Sequence, residues 1–232
     1  MKKFPEFSEN KKQFILNGKT VFNKKFIEAL KFHKPGLAPV CDESGSYHIN
    51  LEGEPIYKER YKRTFGYYFE KATVIDQNNN WYHIDIYGNR AYIENYAWCG
   101  NFQEELCSVK DFGGNFFHIN SLGKRIYSTN YKYVGDFKDG FACVMIDHKK
   151  FTHIDKFGNL LHDKYFSDLG IFHKNFAIAK DQNGWFHIDK QGLELYPERY
   201  FMIEPFYNGF AFAENFENEK IIIDETGKVI KI

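Results

Sequence analysis

Five histidines stand at near-equal steps along this chain: His48, His83, His118, His153 and His187. Imidazoles in such a series could build a metal or anion site if the fold gathered them at one point. Three other sets carry potential chemistry. Cys41, Cys99, Cys107 and Cys143 could supply thiolates, and Trp81 and Trp185 could stack on sugar rings. Lys58-Glu59-Arg60-Tyr61-Lys62-Arg63 is the densest basic stretch and could meet phosphate or an acidic partner. Each set also has a plainer reading. Metal ligation needs several donors near ~2 Å from one ion, which symmetric repetition around a scaffold works against. The histidines are therefore expected to be strand residues, each held by the Asp or Asn two positions on or by a backbone carbonyl, with no shared metal site. The cysteines lack Cys-x-x-Cys spacing and are expected to be reduced thiols. The tryptophans are assigned to packing, and the basic stretch, interrupted by Glu59, to a solvated loop. Gly-x-Ser-x-Gly, His-Glu-x-x-His, Walker and Gly-x-Gly-x-x-Gly patterns do not occur. No catalytic, cofactor-binding or metal residue is assigned, and the chain is expected not to be an enzyme.

The elements that would position these residues follow from a repeat. Tyr47-His48-Ile49-Asn50-Leu51-Glu52-Gly53 returns as Tyr82-His83-Ile84-Asp85-Ile86-Tyr87-Gly88, and again as Phe117-His118-Ile119-Asn120-Ser121-Leu122-Gly123. Further copies end at Gly158 and Gly192, and a last one, Ile221-Ile222-Ile223-Asp224-Glu225-Thr226-Gly227, lacks the histidine. With Gly18 included, successive glycines lie 35 residues apart, with one step of 34. A period in this range marks a repeat architecture and overrides a two-domain division by length. The repeats are 19–53, 54–88, 89–123, 124–158, 159–192 and 193–227, within one domain spanning 1–232.

Aromatic residues recur four, eight and fourteen positions after each glycine. Phe22, Tyr57, Tyr92, Tyr127 and Tyr196 fill the first of these slots, Phe26, Tyr61, Tyr96, Tyr131, Phe166 and Tyr200 the second, and Phe32, Tyr67, Phe102, Phe137, Phe172 and Phe206 the third. Only His162 breaks the series, and Tyr57, Tyr92, Tyr127 and Tyr196, with Phe102, Phe137, Phe172 and Phe206, are expected to be largely buried. A small residue follows at position nineteen: Ala72, Cys107, Ala142, Ala177 and Ala211, with Ala38 displaced by one. Cys107 thus occupies an alanine slot and reads as a core thiol. Period-two alternation, as in Trp81-Tyr82-His83-Ile84-Asp85, predicts strands near 82–85, 117–120, 153–155 and 186–189. The Asp-x-x-Gly ending predicts a turn in which the carboxylate accepts from the turn's own amides and glycine takes the left-handed position. Asn17-Gly18 instead predicts a two-residue hairpin.

An aromatic-aromatic-x-Ile-Asp-x-x-Gly strand and turn, an apolar-Tyr strand, then Phe-x-x-Gly-x-Ala-x-Val, resembles the WG (KWG) repeat of bacterial proteins. Residues 132–144 and 183–192 carry the likeness best, and it extends over 19–227. The chain departs from the pattern where Tyr82 and Phe186 follow Trp81 and Trp185 in place of glycine, and where Ser46 and Lys220 replace tryptophan. The resemblance implies a β-repeat scaffold that mediates interactions, with no catalytic residues to carry over.

The fold expected is all-β, a closed β-propeller of seven blades if residues 1–18 and 228–232 share a closing blade, or six if not. An open β-solenoid is the alternative. In the closed form, Val229 to Ile232 pairs with a strand of the N-terminal segment. Lys+Arg and Asp+Glu both number 31, so no net charge draws the protein to nucleic acid. No apolar run approaches the ~20 residues of a membrane-spanning helix, so membrane insertion is not expected. The start, Met1-Lys2-Lys3-Phe4-Pro5, has no apolar segment of the secretory type behind it, and a cytoplasmic location is expected. The functional expectation is a non-catalytic protein-interaction scaffold whose partner is another protein. The alternative is a small-ligand or glycan-binding propeller, to be told apart by a concave pocket lined with non-repeated polar residues.

Overall fold

A computed structural model describes residues 4–230, all β-strand, turn and loop, with no helix among them. Seven small sheets follow in chain order, and within each the sequence neighbours are also spatial neighbours. The first holds β1 (Glu6–Phe7), β2 (Phe14–Leu16) and β3 (Lys19–Val21), the second β4 (Glu28–Ala29), β5 (Ala38–Asp42) and β6 (Gly45–Ile49). The third holds β7 (Arg63–Tyr68), β8 (Lys71–Ile75) and β9 (Trp81–Ile84), the fourth β10 (Trp98–Cys99), β11 (Leu106–Lys110) and β12 (Phe116–Asn120). Next come β13 (Tyr133–Val134), β14 (Phe141–Asp147) and β15 (Lys150–Asp155), then β16 (Asp168–Leu169), β17 (Ala177–Lys180) and β18 (Trp185–Ile188). The seventh has four strands, β19 (Met202–Ile203), β20 (Phe210–Glu214), β21 (Lys220–Asp224) and β22 (Val229–Ile230). The four predicted strand segments are strands, two of them ending one residue early at Ile84 and Ile188.

The chain divides into two compact units. One holds the chain up to Gly114 together with Ile119–Lys124, and the other holds Asn115–His118 and the chain from Arg125 onward. In the first, Phe14, Phe26, Ala29, Ala38, Val40, Tyr47 and Ile49 form a buried cluster. In the second, Phe172, Ala177, Ala179, Phe186, Ile188, Phe206 and Ile223 do so.

The turn after each His strand has the expected construction. The Asp85 carboxylate accepts from the amides of Tyr87 and Asn89, both at 2.9 Å, while the Gly88 amide donates to the Asp85 carbonyl. Asn17 and Gly18 both have positive φ, 53° and 75°, and Leu16 pairs directly with Lys19, the geometry of a type I′ hairpin.

The segment after the turn adds a short fourth pairing, as in Ile84 with Arg90 and Ile154 with Leu160. Ile223 with Val229 is the same pairing, lengthened into β22. This corrects the expected closure. Among the described residues, Val229 and Ile230 are the fourth strand of their own sheet and do not pair with the N-terminal strands, which form a sheet by themselves. Apolar Val229 and Ile230 follow Gly227 at the positions that the other repeats use for this return, so the local turn determines their partner. Lys231 and Ile232 lie outside the described residues.

Phe102, Phe137, Phe172 and Phe206 are buried, as are Tyr92 and Tyr196 and the small-residue series Ala38, Ala72, Cys107, Ala142, Ala177 and Ala211. Tyr57 and Tyr127, expected to be largely buried, are only half-buried. They lie in the short return segment after the turn, with the hydroxyl bonded to the buried histidine.

Candidate functional site

The five histidines are all buried and all in one environment. Each Nε2 faces a carbonyl seventeen residues on: Phe65 for His48 at 2.8 Å, Gly100 for His83 at 3.1 Å, Gly135 for His118 at 2.8 Å, Gly170 for His153 at 2.8 Å and Glu204 for His187 at 3.0 Å. A carbonyl can only accept, so Nε2 carries the proton and Nδ1 is left as an acceptor. Nine residues on stands a donor for it. Tyr57 donates to His48 and Tyr127 to His118 at 2.5 Å, and Tyr92 and Tyr196 donate to His83 and His187. In the fourth case the partner is His162, whose Nε2 donates to His153 Nδ1 at 3.2 Å while Thr152 donates to His162 Nδ1 at 3.4 Å. The aromatic at position fourteen covers the imidazole face, from Tyr67 on His48 at 4.7 Å to Phe206 on His187 at 3.9 Å.

Both nitrogens are thus engaged locally and each ring is walled in, which makes these residues joints between successive sheets. Burial lowers all five pKa values to about 4, so the imidazoles are neutral at pH 7. One expectation is corrected. The partner on the polar side is the tyrosine nine residues on and not the Asp or Asn two residues on, because that carboxylate or amide is occupied by the turn amides. Gln13 and Phe22, and likewise Ile222 and Lys231, stand at the corresponding sequence positions of the flanking repeats. Where the imidazole is missing, the hydroxyl is missing too. A signal for the pairing was therefore present in the sequence.

The tyrosine ring has a second task. A Cβ on Gly123 would lie 2.5 Å from the Tyr92 ring, and one on Gly158 2.7 Å from Tyr127. The same approach recurs at Gly53, Gly88, Gly192 and Gly227. The glycine is needed twice over, for a positive φ and for the aromatic seated against it.

Arginine forms a further joint that the sequence reading missed. Arg60 lies over Tyr47 at 3.9 Å, Arg90 over Tyr82 at 3.9 Å, Arg125 over Phe117 at 4.1 Å and Arg199 over Phe186 at 3.7 Å. Arg125 also donates to the carbonyls of Tyr127, Ser128 and Thr129 and to the Asn130 side chain, so it ties down the loop beyond it. Two sequence positions, two or seven after the glycine, deliver the guanidinium to the same ring. Arg60, the centre of the basic stretch, is accordingly a packing residue bonded to Ser44 and three carbonyls.

All four cysteines are free thiols, and Cys107 is buried in its alanine slot as expected. Burial raises the Cys143 thiol to about 12 and pushes Cys99 up as well, which keeps them protonated. Trp81 is half-buried and stacks on Phe65 at 5.5 Å, with an interplanar angle of 23°. Lys180 lies over the half-buried Trp185 at 5.2 Å.

The non-repeated residues gather elsewhere. A groove of about 850 Å³ opens in the first compact unit, lined by loops of the second, third and fourth sheets. Lys34, Phe69, Glu70 and Glu105 line it from the turns before β5, β8 and β11, Lys71 from the first position of β8, and Ile86 and Ser121 from the turns after β9 and β12. Phe102 forms part of its wall. These turn positions vary from repeat to repeat.

No protein-family profile and no curated protein matches the sequence. Solved structures do. The computationally designed Ika8 protein is similar over 98% of this chain and 85% of its own, at 11% identity and a TM-score of 0.54. BamB from Moraxella catarrhalis is similar over 84% of this chain and 70% of its own, at 12% identity and a TM-score of 0.51. The WD40 β-propeller domain of Doa1 aligns over 89% and 84% at 13% identity, with a TM-score of 0.40. The likeness is one of fold.

Within that fold, the repeated residues are consumed by packing. The imidazoles, hydroxyls, guanidinium groups and thiols that suggested chemistry in the sequence are distributed along the repeats. What is gathered in one place is a variable set of turn residues around the groove, set against the repeated aromatics Tyr67 and Phe102.

Proposed function

We propose that this chain is a WG-like repeat protein whose seven sheets close as the blades of a β-propeller and serve as a non-catalytic scaffold for binding another protein. Seven consecutive sheets of three or four antiparallel strands among the described residues, and the likeness of fold to Ika8 and BamB, support the propeller reading. One observation carries the function. The repeated polar groups are buried and paired, whereas the turn positions that vary from repeat to repeat are exposed and frame a concavity. A rigid frame that holds variable loops is the construction of a recognition module. Free thiols and a balanced charge accord with a cytoplasmic setting. The groove is also the feature expected of the alternative, a small-ligand site: it is concave, its lining includes the non-repeated polar residues Lys34, Glu70, Lys71, Glu105 and Ser121, and its volume falls within the ~300–1,000 Å³ range of such pockets.

The test is selection of a displayed peptide library on the purified chain. Binding is expected to depend on loop-tip residues such as Phe69, Glu105 or Lys174, whose replacement leaves the thermal midpoint unchanged. If selection returns no peptide whose binding depends on any loop tip, the scaffold reading fails.

A further inference from the structure

We propose that the groove of the first compact unit binds a linear peptide carrying one large apolar side chain flanked by charges of both signs. This rests on the scaffold reading above and names the site and the ligand chemistry. Phe69 is 53% exposed at the groove, and Ile86 and the buried Phe102 add apolar wall beside it. Lys34 and Lys71 bring two positive charges, Glu70 and Glu105 two negative ones, and none of the four takes part in the ion pairs found among the described residues. Lys71 lies over the Phe102 ring at 5.5 Å, so one ammonium sits on the aromatic wall itself.

The backbone supports the same assignment independently. Phe69 and Glu70 have φ of 48° and 59°, and Glu104 and Glu105 have 48° and 68°. Both turns thus hold two adjacent non-glycine residues in the left-handed region, at a cost of roughly 1–2 kcal/mol per residue. In the corresponding turns of later repeats, Asp139-Gly140 and Asn208-Gly209 place glycine at the second position, and in Lys174-Asn175 Lys174 alone has a positive φ, so only the two groove turns hold a pair of non-glycine residues there. Three of the four strained residues line the groove. The strain is held where side chains longer than glycine reach the cavity, the pattern expected of a binding surface.

Charge selects the ligand class. A nucleic acid or any wholly anionic ligand would meet Glu70 and Glu105, and a polycation would meet Lys34 and Lys71. A peptide with an acid and a base flanking an apolar residue meets a lysine with its acid and a glutamate with its base, and covers Phe69. The walls come from three successive sheets, and the volume is near the upper end for compact ligands, which suits an extended segment.

The probe is a displayed library of random peptides about a dozen residues long, selected on the full chain, followed by affinity measurement of the enriched peptides. The expected consensus is a Phe, Leu, Trp or Met with Asp or Glu and Lys or Arg within about three residues. Phe69→Ala should weaken the best peptide about tenfold or more. Lys34→Glu and Glu105→Lys, both at exposed positions, should each reverse the preferred charge on one flank, with the effect shrinking at high salt. The control, Lys174→Glu in the second compact unit, should change nothing. Binding that survives Phe69→Ala and both charge reversals but is lost in Lys174→Glu would overturn this assignment and leave the scaffold reading standing. Absence of any loop-dependent peptide would overturn both.

Discussion

Acid should unfold this protein in a window set by its buried imidazoles. His48, His83, His118, His153 and His187 have folded pKa values of about 4, held down by burial, against 6.5 in the unfolded chain. The unfolded state therefore binds more protons between those values, and stability is full above pH ~6.5 and falls as pH drops toward 4. At pH 5 each site favours unfolding by about 2 kcal/mol, so the five together remove about 10 kcal/mol, comparable with the whole stability of an ordinary domain. The steepest loss is about 6 kcal/mol per pH unit, equivalent to uptake of four to five protons. Asp42, Asp76, Asp181 and Asp224 have pKa values below the ordinary 3.8, so their contribution is lost only at more acid pH and does not overlap this window. Urea melts at half-unit pH steps from 7.5 to 4.5 would measure the slope. A stability constant between pH 7 and 5, or an uptake below about two protons, would refute the neutral buried joint.

Three further outcomes follow from the same joints. Tyr127→Phe should cost about 1–2 kcal/mol by leaving His118 Nδ1 without a donor, and His118→Ile with Tyr127→Phe should cost less than the sum of the single changes, read in a double-mutant cycle. Gly123→Ala, which meets both a left-handed φ and the Tyr92 ring, should be more destabilising than Gly114→Ala, where φ is also positive but nothing lies within 4 Å; thermal melts of the two report the clash alone. Phe137→Ala should cost about 3–5 kcal/mol, and an unchanged melting temperature would contradict its burial against His118.

Much of the architecture was legible because it is local and periodic. The turn at Asp85, the Asn17-Gly18 hairpin, the small-residue slot at Cys107 and the buried phenylalanines follow from spacing and side-chain type alone. Contacts beyond a single strand were harder. Pairing His83 with Tyr92 requires knowing that the chain returns beside its own strand after Gly88, and alternation on one strand suggested Asp85 instead. The arginine stacks were hidden by their two alternative positions, which blur any single-column pattern. The fate of Val229 and Ile230 was misjudged by treating the segment after glycine as the start of a new sheet, when it completes the preceding one. The groove at Phe69 and Glu105 was illegible for the opposite reason: its residues do not repeat, so periodicity is silent about them.

The histidine joint also sets an order of events for a chain emerging from a ribosome. Its partners lie nine and seventeen residues downstream, as in His83 with Tyr92 and Gly100, so each connection can form once a short further stretch has been made. Short separations of this kind keep the loop-closure cost of each connection low. Assembly can then proceed from the N-terminus one repeat at a time, each finished sheet templating the next, with little apolar surface left waiting for a distant partner. Under mechanical pull from an end, the same arrangement should yield in steps of about one repeat, because breaking one imidazole–carbonyl connection leaves the others intact.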